Sequence, residues 1–241
     1  MTAVSQPEAL AQAYAGITAV VAPLDDAGLQ RPTRCRGWLV ADLLFHVLCD
    51  AQRALVALAS PADGPADSDD VSYWRAFAPS TDGAETGTGR RATRNDAGGD
   101  ARHAGWARRS AAAFERPSGV VRVWADTAPA AVRAAAAADP AGFVATQGHV
   151  LRVPDLLATL TTEAVVHHLD LIVDLSDAPP PAPLPVRVAV TSLGGLLSDD
   201  AVRPADWDDR DFLLKAAGRV PLTDRDRQAL GEVAGWFPLI G

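Results

Sequence analysis

Cysteine is scarce in this chain. Only Cys35 and Cys49 occur, so no disulfide framework is available and stability has to come from a packed core. Lysine is scarcer still. Lys215 stands alone while arginine and alanine abound, a skew of GC-rich coding that says nothing about the fold. Positive charge is in deficit overall. A formal net charge of −8 excludes non-specific nucleic-acid binding, which needs a basic footprint. It equally opposes attraction to anionic membranes. No uninterrupted apolar run approaches the roughly 20 residues that span a bilayer. The opening Met1-Thr2-Ala3-Val4-Ser5-Gln6-Pro7-Glu8 lacks the basic and apolar parts of a signal peptide. A cytoplasmic protein is expected. Three catalytic signatures are missing as well: the Gly-x-Ser-x-Gly elbow, the Walker loop and the dinucleotide fingerprint. Gly87-Thr88-Gly89-Arg90 is too short and too polar in context to cradle a phosphate.

What is present is apolar and helical in period. Hydrophobic residues make up 48% of 241 positions, ample for a real core and sufficient to exclude global disorder. Leu10, Tyr14, Ile17, Val21 and Leu24 recur at helical spacing and predict a helix over residues 7–29. Proline and glycine in the segment 31–37 break it. A second helix is expected over 39–59, with Leu43, Leu44, Val47, Leu48 and Leu55 on its apolar side. Its polar face carries His46 beside Asp42, Asp50 and Arg53. Residues 60–70 read as a loop, and Val71 to Phe77 as a short ordered piece. Residues 81–100, rich in Gly, Thr, Arg and Asp, read as a mobile surface loop. Further helices are expected over 101–114 and, opening on Pro129, over 129–138. Residues 143–153 carry β-formers on both sides of Gly148 and predict a small hairpin. A proline-rich stretch from Asp177 to Pro183 marks a linker. It divides an N-terminal unit, 1–178, from a C-terminal region, 179–241. Helices are expected there over 186–197, 209–219 and 224–236, the last capped by Thr223.

The segment 154–175 holds the strongest signal. Thr159, Glu163, His167, Asp170 and Asp174 fall on one stripe of a helix whose other faces carry Leu156, Leu157, Leu160, Val165, Val166, Leu169 and Ile172. A helix apolar on most sides is buried, and buried ionisable groups need a partner or a metal. Glu163 and His167, one turn apart, can clamp a divalent ion, and His46 can supply a third ligand. Three protein ligands and one open position are the pattern of a catalytic zinc, and facing helices of a bundle can deliver them. Asp42, Asp50, Asp170 and Asp174 are in helical phase to orient the ligating histidines. The same spacing also suits a plain Glu163–His167 pair with His46 as a satisfied core residue, and spacing alone does not choose. His168 points about 100° away from His167 and reads as packing. His149 sits in the hairpin, near a pocket mouth or on the surface. His103 reads as solvated, Cys49 as a core residue, and Cys35, near Trp38, as exposed without any sign of activation.

Thr33-Arg34-Cys35-Arg36-Gly37-Trp38-Leu39-Val40-Ala41-Asp42-Leu43-Leu44-Phe45-His46 resembles the Thr-x-Cys-x-Gly-Trp-x-Val-x-Asp-Leu-x-x-His signature of the mycothiol-dependent maleylpyruvate isomerase family. Glu163-Ala164-Val165-Val166-His167-His168-Leu169-Asp170 is similar to that family's Glu-x-x-x-His-x-x-Asp. The resemblance covers about residues 5–176. It implies a mainly α fold, a DinB/YfiT-like four-helix bundle in up-down-down-up order with a short, mostly helical C-terminal extension. It implies zinc held by His46, Glu163 and His167, and a low-molecular-weight thiol, mycothiol in actinobacteria, activated at the metal. The family's functional arginine in a Gly-Arg context falls on Gly218-Arg219, so Arg219 is a candidate for holding a substrate carboxylate; a helix-end charge is the other account of it. The activity implied is isomerase or thiol S-transferase chemistry on a small electrophile, in a monomer or homodimer. The loop 79–100 would form a lid. A non-catalytic metal or small-molecule binding module is the alternative.

Overall fold

The computed structural model describes residues 5–77, 97–197 and 203–241. It is mainly helical. Eight α-helices and one two-stranded hairpin are present among the described residues. The helices are α1 (Gln6–Val21), α2 (Val40–Ala59), α3 (Ala97–Ala111), α4 (Ser118–Ala137), α5 (Val153–Leu171), α6 (Pro183–Gly194), α7 (Asp209–Ala216) and α8 (Asp224–Leu230). The bundle consists of α1, α2, α4 and α5: α2 packs on α4 and α5, and α1 packs on the same two helices. Helix α3 lies against α2, α6 lies against α5 and α1, and α7 lies against α6.

Local chemistry explains the element ends. Helix α1 stops at Val21, short of the expected 29, because Pro23 follows and has no N–H to continue the helical ladder. A separate 3-10 turn, Gly28–Gln30, carries the chain on. The hairpin pairs β1 (Phe143–Thr146) with β2 (His149–Arg152), Thr146 opposite His149. Its two-residue turn has positive φ at both Gln147 (49°) and Gly148 (83°), the geometry that suits the twist of a hairpin. Helix α5 opens with Pro154 in its first turn, where a missing N–H costs nothing.

Pro129 does not start a helix. It lies inside α4, which begins eleven residues earlier at Ser118. The apolar positions Val120, Trp124, Ala128, Ala131 and Ala135 are all buried, so the packed face continues through the proline and outweighs its helix-breaking cost of about 3 kcal/mol. Trp124 is the largest fully buried side chain. Its ring meets Tyr14 edge-on at 5.1 Å, and its indole N–H donates to Thr18 Oγ1 at 2.9 Å. Both polar and apolar parts of the residue are thereby satisfied.

Helix α5 is buried on nearly every face. Val153–Asp174 is long and apolar enough to cross a membrane by length and composition, and most of it is buried within the protein. Against it, Gly16 of α1 leaves no room: a Cβ there would stand 2.9 Å from His168 Cε1. His168 is therefore packing, with Nε2 2.9 Å from the Pro179 carbonyl. Burial lowers its pKa, so it is a neutral donor there.

Candidate functional site

Helices α2 and α5 bring three polar side chains to one point. His46 Nε2 lies 3.0 Å from Glu163 Oε1, and His167 Nε2 lies 3.3 Å from the same oxygen. One donor atom from each residue falls within 4.8 Å of the others. The rings of His46 and His167 stand nearly perpendicular, 4.9 Å apart. Burial by itself would push the Glu163 carboxyl up. Hydrogen bonds with His167 and His46 outweigh it and hold the group well below the usual carboxylate range. Glu163 is thus an anion between two imidazoles.

The second nitrogen of each histidine is also engaged. His167 Nδ1 is 3.1 Å from Asp170 Oδ2, one helical turn on. His46 Nδ1 is 3.2 Å from His103 Nε2, on α3. His103 is exposed, as its position beside a polar loop suggests, and the rings of Trp38 and Trp106 also stand 6.3 Å and 5.5 Å away. Nothing local in the sequence signals this contact, because it joins residues 57 apart.

Of the four carboxylates in phase to support the histidines, Asp170 is the one that meets His167. It is fully buried. It accepts from the Cys35 thiol at 3.2 Å and from Arg219 Nε at 3.2 Å to each oxygen. Burial pushes its carboxyl up, but His167 and the Arg219 guanidinium outweigh burial and lower it. Asp42 instead caps its own helix, accepting from Leu39 N–H at 2.9 Å. Asp174 lies beyond the end of α5, where its backbone carbonyl accepts from Arg31. Asp50 is buried and pairs with Arg53; one oxygen, Oδ2, has no hydrogen-bond partner and stands 3.9 Å from His46 Nε2. Burial raises its pKa.

The loop before α2 is built to dock here. Gly37 takes φ 79°, a conformation that L side chains rarely adopt. Thr33 donates through both its backbone N–H and its hydroxyl to Trp38 C=O, each at 3.0 Å. Arg34 N–H donates to the Asp170 carbonyl at 3.0 Å. The Thr-x-Cys-x-Gly-Trp pattern is therefore a tight turn that lays Cys35 on Asp170 and Trp38 on His46, 5.6 Å between the last two rings.

Arg219 arrives from the C-terminal region. Helix α7 ends at Ala216, and Gly218, at φ 67°, reverses the chain. Arg219 is thereby turned onto Asp170, its Nη1 donates to Ala217 C=O at 2.8 Å, and Nη2 is 3.9 Å from Cys35 Sγ. A cavity of about 840 Å³ connects these groups, lined by His46, Glu163, His167, Arg219, Trp38 and Tyr73 among others. Cys49 is half-buried in its wall rather than in the core, and burial pushes its thiol up to about 11. His149 is not among the lining residues; it faces Asp67, Nδ1 to Oδ1 3.1 Å. The expected lid, 79–100, falls almost wholly outside the described residues.

A helical bundle with an acid and two imidazoles meeting in an open cavity is consistent with the DinB-like superfamily. The family model described as the mycothiol maleylpyruvate isomerase N-terminal domain matches residues 10–172, and the chain belongs to that family. No curated protein and no solved structure gives a significant match.

Proposed function

We propose that the protein is a zinc-dependent enzyme that uses mycothiol or a similar thiol to isomerise, or to transfer the thiol onto, a small electrophile. One observation carries the reading: His46, Glu163 and His167 converge at the floor of a cavity, in a chain of the mycothiol maleylpyruvate isomerase family. The donor set fits the metal. Two imidazole nitrogens and one carboxylate oxygen, with a cavity in place of a fourth protein ligand, match a catalytic zinc site. A carboxylate behind the second nitrogen of His167 is the usual orienting partner of a ligating histidine.

His46, Glu163 and His167 would hold the ion, and zinc there lowers the pKa of a thiol, ordinarily near 8.5, so that it reacts as thiolate. The rest falls to the chain. Asp170 keeps the His167 ring turned so that Nε2 faces Glu163. Arg219 offers a guanidinium on the cavity wall, suited to a substrate carboxylate. Trp38 shields one side of His46 from water. The isomerase and transferase branches differ only in whether the electrophile leaves alone or as a thioether. Residues 1–178 form the metal-binding unit in this reading, and residues 179–241 complete the pocket through Arg219. The enzyme acts in the cytoplasm, as monomer or homodimer, on small molecules.

The test is thiol-dependent consumption of unsaturated dicarboxylic electrophiles by the zinc-loaded protein. His46→Ala, checked for folding by circular dichroism, should lower turnover at least about 100-fold, the scale of losing one electrostatic stabiliser. A wild-type protein that carries zinc and shows no thiol-dependent turnover across a broad electrophile panel contradicts the proposal.

A further inference from the structure

We propose that His103 is a positioning residue for His46, holding its ring so that Nε2 faces Glu163 and His167 whether or not a cation is bound. The inference rests on the reading of His46 as a metal ligand.

The two ligand histidines are supported differently. Behind His167 stands Asp170, a buried carboxylate that can only accept. Behind His46 stands another imidazole, with Nε2 of His103 3.2 Å from Nδ1. An imidazole can donate or accept at the same nitrogen, depending on its tautomer. His46 needs both. With its Nε2 proton donated to Glu163 Oε1 at 3.0 Å, Nδ1 carries a lone pair and requires a donor, which His103 Nε2–H supplies. Once Nε2 binds a cation, the His46 proton resides on Nδ1 and requires an acceptor. His103 supplies that by moving its own proton from Nε2 to its Nδ1. A lysine, which can only donate, could not serve both states.

Helix α3 is anchored independently of this contact. Arg108 Nη1 donates to Gly37 C=O at 3.3 Å, and Trp106 packs on Phe45 at 5.5 Å. The His103 and His46 rings meet at 83°, with centroids 5.2 Å apart. The imidazole is thus delivered to His46 by a helix fixed at two other points.

Three variants separate nitrogen from ring. His103→Ala removes both, His103→Phe keeps a ring without nitrogens, and His103→Gln keeps an amide that donates or accepts by flipping. Zinc affinity is read by chelator competition. The Ala and Phe variants should bind zinc about 10–100-fold more weakly, the range for lost orienting partners, and the Gln variant should stay within about threefold of wild type. A second readout needs no metal: 15N NMR of the metal-free protein should show His46 as the Nε2–H tautomer in wild type and as a mixture in His103→Ala. Unchanged zinc affinity together with an unchanged tautomer in His103→Ala overturns the proposal. If wild type takes up no zinc, the proposed function falls and the NMR result alone decides the role of His103.

Discussion

Asp170 carries more of this site than its single charge suggests. It joins His167, the Cys35 loop and the C-terminal arginine through four hydrogen-bond contacts, all inside the protein. Removing one partner of a buried charge network leaves the others uncompensated. Asp170→Asn should therefore destabilise the fold by about 3 kcal/mol in urea unfolding and weaken zinc binding by about 10–100-fold. Arg219 gives a second residue-level prediction. Arg219→Lys keeps the charge but loses the planar fork, so kcat/KM for a carboxylate-bearing electrophile should fall about 10–100-fold, with less effect on an uncharged one. Equal losses on both substrates would remove Arg219 from carboxylate recognition. That His46, Glu163 and His167 come together was legible in sequence because i and i+4 residues share a helical face and because the two motifs resemble one family. The choice among four carboxylates was not legible. Helical phase says which side chains share a face, not which rotamer each adopts or what the neighbouring loop brings. His103 was hidden for a related reason: nothing short-range ties it to His46.

The elements show where pattern reading works and where it fails. The hairpin was readable from β-formers around Gly148, and the Thr223 cap from its residue type; Thr223 Oγ1 does accept from Asp226 N–H, at 3.1 Å. Helix α4 was cut short by the proline rule, because a buried Trp124 face outweighs a local breaker. One buried carboxylate links several segments of the C-terminal region. Asp226 receives Lys215 Nζ at 2.8 Å, the Trp207 indole N–H at 2.7 Å and the Thr223 N–H at 2.8 Å. Burial alone would push its carboxyl up, but the Lys215 ammonium and then these N–H groups hold it far below the usual carboxylate range. A depressed folded pKa places the sign. The stabilisation is complete above the unfolded value of about 4 and is lost as pH falls through the folded one. Asp226→Asn should cost about 3 kcal/mol at neutral pH. The gap between wild type and variant should be flat above about pH 5 and should narrow only in stronger acid. A gap that already closes between pH 7 and 5 would contradict this assignment.

At the scale of the whole molecule, the bundle brings together His46, Glu163 and His167, and the C-terminal region adds Arg219 to the cavity wall. Helix α5, buried on nearly every face, carries Glu163 and His167 to the wall of the cavity and Asp170 just behind His167. Helix α2 brings His46 from the opposite wall, and Gly218 turns Arg219 in from outside the bundle. No single element holds the site, so the positions of the proposed metal donors report on how several elements pack. The most direct measurement is an anomalous difference map at the zinc edge, on crystals of protein purified without chelator or affinity metal. One peak is expected, at full occupancy, bonded to His46 Nε2, Glu163 and His167 Nε2 at about 2.0–2.2 Å. A zinc-replete crystal with no peak there, or with its peak on other side chains, would contradict it.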